Sequence, residues 1–152
     1  MPTIWTIGYE QATVAGVLNA LTTAGVEVLA DVRALPLSRR PGFSKSALAA
    51  ALGEVGIRYD HFKPLGTPAD GRAAARRGDH AALAAIYAGQ LELPEAMAAG
   101  ARLHDLASER RVALLCYERD AACCHRTLLH EAMLPEFAAV DLVPVEFLGA
   151  SA

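Results

Sequence analysis

The sequence predicts an α/β domain: a three-layer, Rossmann-like open sheet of about five mostly parallel strands with helices on both faces. Two observations carry this. Strand-like apolar runs and helix-periodic segments alternate from one end of the chain to the other. The runs stop at Gly or at clusters of polar residues, as strands do where they turn into connections. No internal repeat, linker or low-complexity tract interrupts the alternation, so residues 1–152 are read as one domain, long enough to bury a core.

Ile4 to Ile7 is the first strand, ending at Gly8. Thr13 caps a helix whose Val14, Val17, Leu18 and Leu21 keep helical spacing up to Gly25. The β-branched run Val26 to Val32 is the second strand. Pro36, Pro41 and Gly42 make Ala34 to Phe43 a loop, after which Ser44 caps a helix to about Leu52. Ile57 to Phe62 is the third strand, and Pro64 to Gly78 reads as irregular. Asp79 starts a helix to about Ala88, and Pro94 opens another to about Glu109. Arg111 to Cys116 is the fourth strand, followed by a helix from about Ala121 to Met133. Leu142 to Phe147 is the last strand, and Pro144 marks it as an edge. The expected strand order is 3-2-1-4-5, with strands 1 and 4 adjacent at a switch point where open α/β sheets bind ligands.

Composition narrows the function. The chain is 53% hydrophobic, inflated by 32 alanines, and carries 14 basic against 17 acidic residues for a net charge of −3. That balance argues against coating nucleic acid by bulk charge but allows a local basic cleft. Twelve of the basic residues are Arg, suited to bidentate contacts. No signal peptide and no run of roughly 20 apolar residues is present, so a cytoplasmic location without membrane contact is expected. Cys116, Cys123 and Cys124 form an odd, closely spaced set that reads as a poor disulfide framework.

The chemistry-bearing residues follow the strands. Strand 1 delivers Gly8, Tyr9 and Glu10; strand 2 delivers Asp31, Arg33, Ser38, Arg39 and Arg40; strand 4 delivers Cys116, Tyr117 and Glu118. Cys124, His125 and Arg126 then fall in the first turns of a helix with Asp120 as its expected cap. Convergence of these segments is the main argument for a site. There Cys124 gains thiolate character from the helix terminus, His125 serves as acid or base, Arg126 holds a carboxylate or phosphate, and Glu118 orients His125 or acts as a base.

Structural roles compete with each of these. Cys116 reads equally as core filler, Cys123 as a small helical residue, and Cys124 as a packed thiol. Asp31 and Arg33 share a strand face by period two, so a mutual ion pair is an alternative. Arg76 and Arg77, like Arg39 and Arg40, read as solvated loop charges. His61, His80, His104 and His130 lack ligand spacing. No Walker loop, dinucleotide fingerprint or Cys-x-x-Cys pair is present, so no cofactor and no metal are expected, although Cys116, Glu118, Cys124 and His125 include metal-ligating types. A cysteine phosphatase places Arg six residues after its nucleophile; Ala122 and His130 stand at that distance from Cys116 and Cys124.

Thr6-Ile7-Gly8, Asp31-Val32-Arg33 with Pro36 and Ser38, Phe43 with Lys45, and Gly56-Ile57 with Tyr59 form an ordered series. Leu65-Gly66, Leu114 to Glu118 and Cys124-His125-Arg126 complete it. Over about Thr3 to Val145 the chain resembles the family catalogued as domain of unknown function 488. The resemblance implies one α/β domain and a site drawn from Asp31, Arg33, Lys45, Tyr59, Cys116, Glu118, Cys124, His125 and Arg126. Typical members carry His-Ser after the first Gly, where this chain has Tyr9-Glu10. The Asp-Val-Arg segment is also similar to that of rhodanese-like sulfurtransferases, without their active-site loop.

The resemblance carries no reaction. The leading expectation is an enzyme for a small anionic, phosphate- or nucleotide-bearing substrate. Asp31, Cys116, Glu118, Cys124 and His125 are its catalytic candidates, and Arg33, Arg126, Lys45, Tyr9, Tyr59, Gly8, Arg39 and Phe43 its substrate-binding candidates. Two alternatives stand beside it. One is a non-catalytic nucleic-acid or nucleotide-binding module using Arg39, Arg40, Lys45, Arg72, Arg76 and Arg77 as a basic rim, with Phe43 and Tyr59 for stacking. The other is a thiol redox or sulfur-handling protein using Cys116 and Cys124. Small anionic ligands are the expected partners, nucleic acid is less favoured, and the oligomeric state is open.

Overall fold

The computed structural model describes residues 2–118 and 125–144. Five parallel strands form one sheet: β1 (Thr3–Gly8), β2 (Val28–Asp31), β3 (Arg58–His61), β4 (Val112–Cys116) and β5 (Ala138–Leu142). Helices α1 (Val14–Thr23) and α2 (Lys45–Glu54) cover one face. The other carries α4 (His80–Leu91), α5 (Pro94–Glu109) and α6 (His125–Met133). Alternation along each strand divides the core. Ile4, Val28, Ala30, Val112 and Leu114 pack toward α4, α5 and α6, while Ile7, Leu29, Ala113 and Leu115 pack toward α1 and α2.

The observed order is β3-β2-β4-β1-β5, which corrects the expected 3-2-1-4-5. Strand β4 lies between β2 and β1, and β5 pairs with β1. The reason is burial. All five residues of β4, Val-Ala-Leu-Leu-Cys, are buried, as a strand with helices on both faces and neighbours on both edges requires. Strands β3 and β5, with residues that are exposed or half-buried, take the edges. The connections leaving β1 and β2 run to the α1–α2 face and those leaving β4 to the opposite face, so the crevice opens around the end of β4.

Local signals act where expected at several ends. The Thr13 hydroxyl accepts the Gly16 N–H and the Asp79 carboxylate accepts that of Ala82, capping α1 and α4. Ser44 occupies the N-cap of α2, but its Oγ accepts the Ser38 N–H instead, tying the preceding loop to the helix. Strand β5 begins at Ala138, four residues before the expected Leu142. Pro64 to Gly78, expected to be irregular, contains a 3₁₀ turn (Lys63–Leu65) and helix α3 (Ala69–Arg76). Asp120, Cys123, Cys124 and Phe147 lie outside the described residues. Among those described, no helix is long and apolar enough to cross a membrane.

Gly66 joins the 3₁₀ turn to the loop after β2. A Cβ there would overlap the backbone N and Cα of Ala34, which no rotamer change relieves. Gly66→Ala is therefore expected to lower stability by about 1–3 kcal/mol through overpacking. Urea unfolding measures it, and a loss below roughly 0.5 kcal/mol, the ordinary surface range, would contradict the close approach.

Candidate functional site

Three strand ends meet at one cavity of about 660 Å³, within the usual range for small-molecule sites. The register sets Gly8 beside Cys116, and the ladder continues past the strands: Tyr9 N–H donates to Cys116 O (3.3 Å) and Glu10 N–H to Tyr117 O (2.8 Å). On the other side of β4, Val32 N–H donates to Leu115 O at 3.2 Å. The three segments are thus fixed to one another by backbone, and they carry Tyr9, Glu10, Arg33, Cys116, Tyr117 and Glu118 to the cavity wall.

Asp31 and Arg33 point to the α1–α2 face and form a buried bidentate pair, Nε to Oδ1 at 2.8 Å and Nη2 to Oδ2 at 2.7 Å. Nη1 donates to Phe43 O (2.7 Å) and to the Tyr9 hydroxyl (3.3 Å), and the Tyr59 hydroxyl donates to Asp31. Tyr9 stacks on Phe43 with centroids 4.5 Å apart. Burial, Asp31 and its charge together push the Tyr59 phenol well above its ordinary range. Arg33 edges the cavity, yet most of its donors serve this cluster, so the mutual pair describes it better than an open anion site. Asp31, Tyr59 and Phe43 do not line the cavity, nor does Gly8. Lys45 is exposed at the start of α2, where its backbone N–H holds Pro36 O at 2.8 Å, and it too is absent from the cavity.

The opposite face carries the other group. His125 is buried, its Nε2 2.7 Å from Val32 O; a carbonyl only accepts, so Nε2 carries the proton. Burial pulls its pKa down to about 4, with the Arg126 charge adding to the fall and the Val32 bond opposing it. His125 is therefore neutral at neutral pH, with its Nε2 proton held by Val32 O. Arg126 is fully buried, donates to Asp141 (2.9 Å) and to Glu118 O (2.5 Å), and does not line the cavity. Its expected role as an anion holder gives way to that of a strut from α6 to β5 and to the Glu118 backbone. The Thr6 hydroxyl shares Asp141 at 2.6 Å.

Glu118 reaches the cavity, and burial raises its carboxyl above the ordinary carboxylate range; its own backbone contact and Arg126 oppose this, and Glu10 adds to it. Cys116 lines the cavity with its sulfur 3.6 Å from Glu118 Oε2. That sulfur is in a disulfide, which corrects the expectation of a free thiol there. Among the described residues no group of three or more His, Cys, Asp or Glu side chains is placed to hold a metal ion.

The cations at the cavity come from elsewhere. Arg39 of the loop after β2 and Arg72 and Arg76 of α3 line it, and none has a carboxylate partner among the described residues. Arg72 Nη1 donates to Thr67 O at 2.8 Å. Arg39 was a sequence candidate. Arg72 and Arg76 belong to the basic rim expected for a binding module, and the helix the sequence reading lacks is what sets them, four residues apart, on one face. Glu10 and Tyr117, delivered by strands 1 and 4 as expected, line it too, and Leu35 and Leu37 are lining residues that no polar pattern marks.

The family model described as "Domain of unknown function DUF488" matches residues 13–133, most of the chain. The chain belongs to this family. Tyr9 and Glu10 precede the matched stretch: Tyr9 joins the Asp31–Arg33 cluster and Glu10 faces the cavity. No curated protein and no solved structure matches the chain.

Proposed function

We propose that this DUF488 protein is an enzyme that takes a small anionic, phosphate- or nucleotide-bearing substrate into the cavity at the strand carboxyl ends. The observation that carries the reading is the placement of Arg39, Arg72 and Arg76 around one concave site without carboxylate partners among the described residues. Such guanidinium groups match phosphate oxygens in a fork geometry. Glu118, with its raised carboxyl, is the group for proton transfer, since a proton held closer to neutral pH is both available and transferable. Arg126 positions it through the Glu118 carbonyl, and neutral His125 fixes α6 against β2.

Calorimetric titration with inorganic pyrophosphate tests the anion site. Arg72→Gln and Arg76→Gln are each expected to weaken binding about tenfold, the value of one charge-assisted contact of roughly 1.4 kcal/mol. Unchanged affinity in the double variant, or no binding at millimolar pyrophosphate, would refute the site. Glu118→Gln should spare that affinity and lower turnover of any substrate found. A thiol redox role is the second reading, favoured by the Cys116 disulfide at the cavity wall. Thiol counts that do not change on treatment with reductant would remove it.

A further inference from the structure

Resting on that anion site, we infer that the substrate also carries a flat apolar group, as a nucleoside or aryl phosphate does, and that Tyr117 with Leu35 and Leu37 receives it. These are three of the eight large apolar side chains exposed on the described surface, and all three line this cavity. Leu37 is 71% exposed, Leu35 53% and Tyr117 45%.

Their exposure is built into a held framework. The loop bearing the leucines is tied at Lys45 N–H to Pro36 O, at Ser38 N–H to Ser44 Oγ, and at Arg40 N–H to Ser38 Oγ. Its start is braced by His61 on Arg33 O and by the close approach of Gly66 to Ala34. A loop so anchored keeps two leucines in water at a cost of roughly 25 cal/mol per Å² of apolar surface, which a ligand's apolar face would remove. Leu35, Leu37 and Arg39 stand two apart along this loop, so apolar surface leads directly to a cation.

Tyr117 ends an aromatic series. Phe43 stacks on Tyr9, and Tyr9 meets Tyr117 edge to face at 5.4 Å between centroids. The first two rings are buried, while Tyr117 stays half-exposed at the cavity. A ring supported from behind in this way offers a stacking surface that loses little freedom on binding. An anion alone needs none of this. A phosphate on a small polyol would leave the platform wet, whereas a planar base or aryl ring covers it while its phosphate reaches the arginines.

The experiment titrates the full chain with adenosine 5′-monophosphate, phenyl phosphate and ribose 5-phosphate, which share the phosphate but not the ring. The two aromatic ligands are expected to bind about tenfold or more tightly than ribose 5-phosphate, the scale of one stacked ring. Tyr117→Ala and Leu37→Ser should each erase most of that advantage while leaving ribose 5-phosphate affinity unchanged; Tyr117→Phe should keep it. Equal binding of all three ligands overturns the platform and leaves the anion site standing. Binding of none overturns both. Tyr117 and Leu37 are exposed, so these variants are expected to fold, and unchanged melting temperatures check it.

Discussion

Arg33→Ala is expected to cost about 3–5 kcal/mol of stability, because it strands the Asp31 carboxylate in the core. Asp31 is fully buried, and its oxygens take the two Arg33 bonds and the Tyr59 hydroxyl. Removing the guanidinium also frees Phe43 O and the Tyr9 hydroxyl of their donor. For a domain of this size the loss corresponds to a fall in Tm of roughly 6–20 °C. Asp31→Ala should cost a similar amount by stranding the guanidinium instead. The double change Asp31→Leu with Arg33→Met should recover part of the loss, since no buried charge then lacks a partner. Thermal unfolding of the three variants decides it. A fall below 2 °C in both single variants, or additive losses in the double, would show that the pair is not the energetic unit the geometry describes.

That pair was legible in the sequence, and why it was so explains what was not. Asp31 ends β2 and Arg33 follows it two residues on, so strand alternation carried past the end puts both on one face with Val32 opposite. Arg126 is the contrary case. Its partner Asp141 is fifteen positions away on β5, and the strand expected at Leu142 to Phe147 excludes Asp141. With that strand placed four residues too late, Arg126 had no visible partner and looked available to substrate. Position in the sheet follows similar logic. The run Val112 to Cys116 has no polar interruption and marks β4 as buried on both faces, but periodicity carries no information on which strands flank it. Helix α3 was hidden by composition. Ala-Asp-Gly-Arg-Ala-Ala-Ala-Arg contains only alanines as apolar residues and a glycine, so no large side chains mark a face. The glycine is nevertheless required, because Gly71 meets the Thr67 methyl where a Cβ would stand. The sequence thus offers Arg39, Arg72 and Arg76 as cations, and it is helix α3 that aligns the last two at the cavity.

His125 gives the second large effect, in the pH dependence of stability. Its folded pKa, about 4, lies below the ordinary value of 6.5 because the ring is buried, with the Arg126 charge adding to the fall. Between those two values the unfolded chain binds a proton that the folded chain refuses. The contribution is therefore fully present above pH 6.5 and is lost as pH falls toward 4, by about 3 kcal/mol in all. Glu118 works in the opposite sense. Its raised carboxyl favours the folded state while protonated and gives up that contribution as pH rises through its folded pKa. The comparison must therefore be with a variant that keeps Glu118. His125→Gln offers an amide N–H near the position of Nε2, so Val32 O keeps a donor while the titration disappears. Urea unfolding at pH 7, 6, 5 and 4 should show the native protein losing about 3 kcal/mol more than the variant over that range. Parallel curves would mean that the imidazole takes up its proton as readily in the folded state as in the unfolded one, and that burial does not lower its affinity for it.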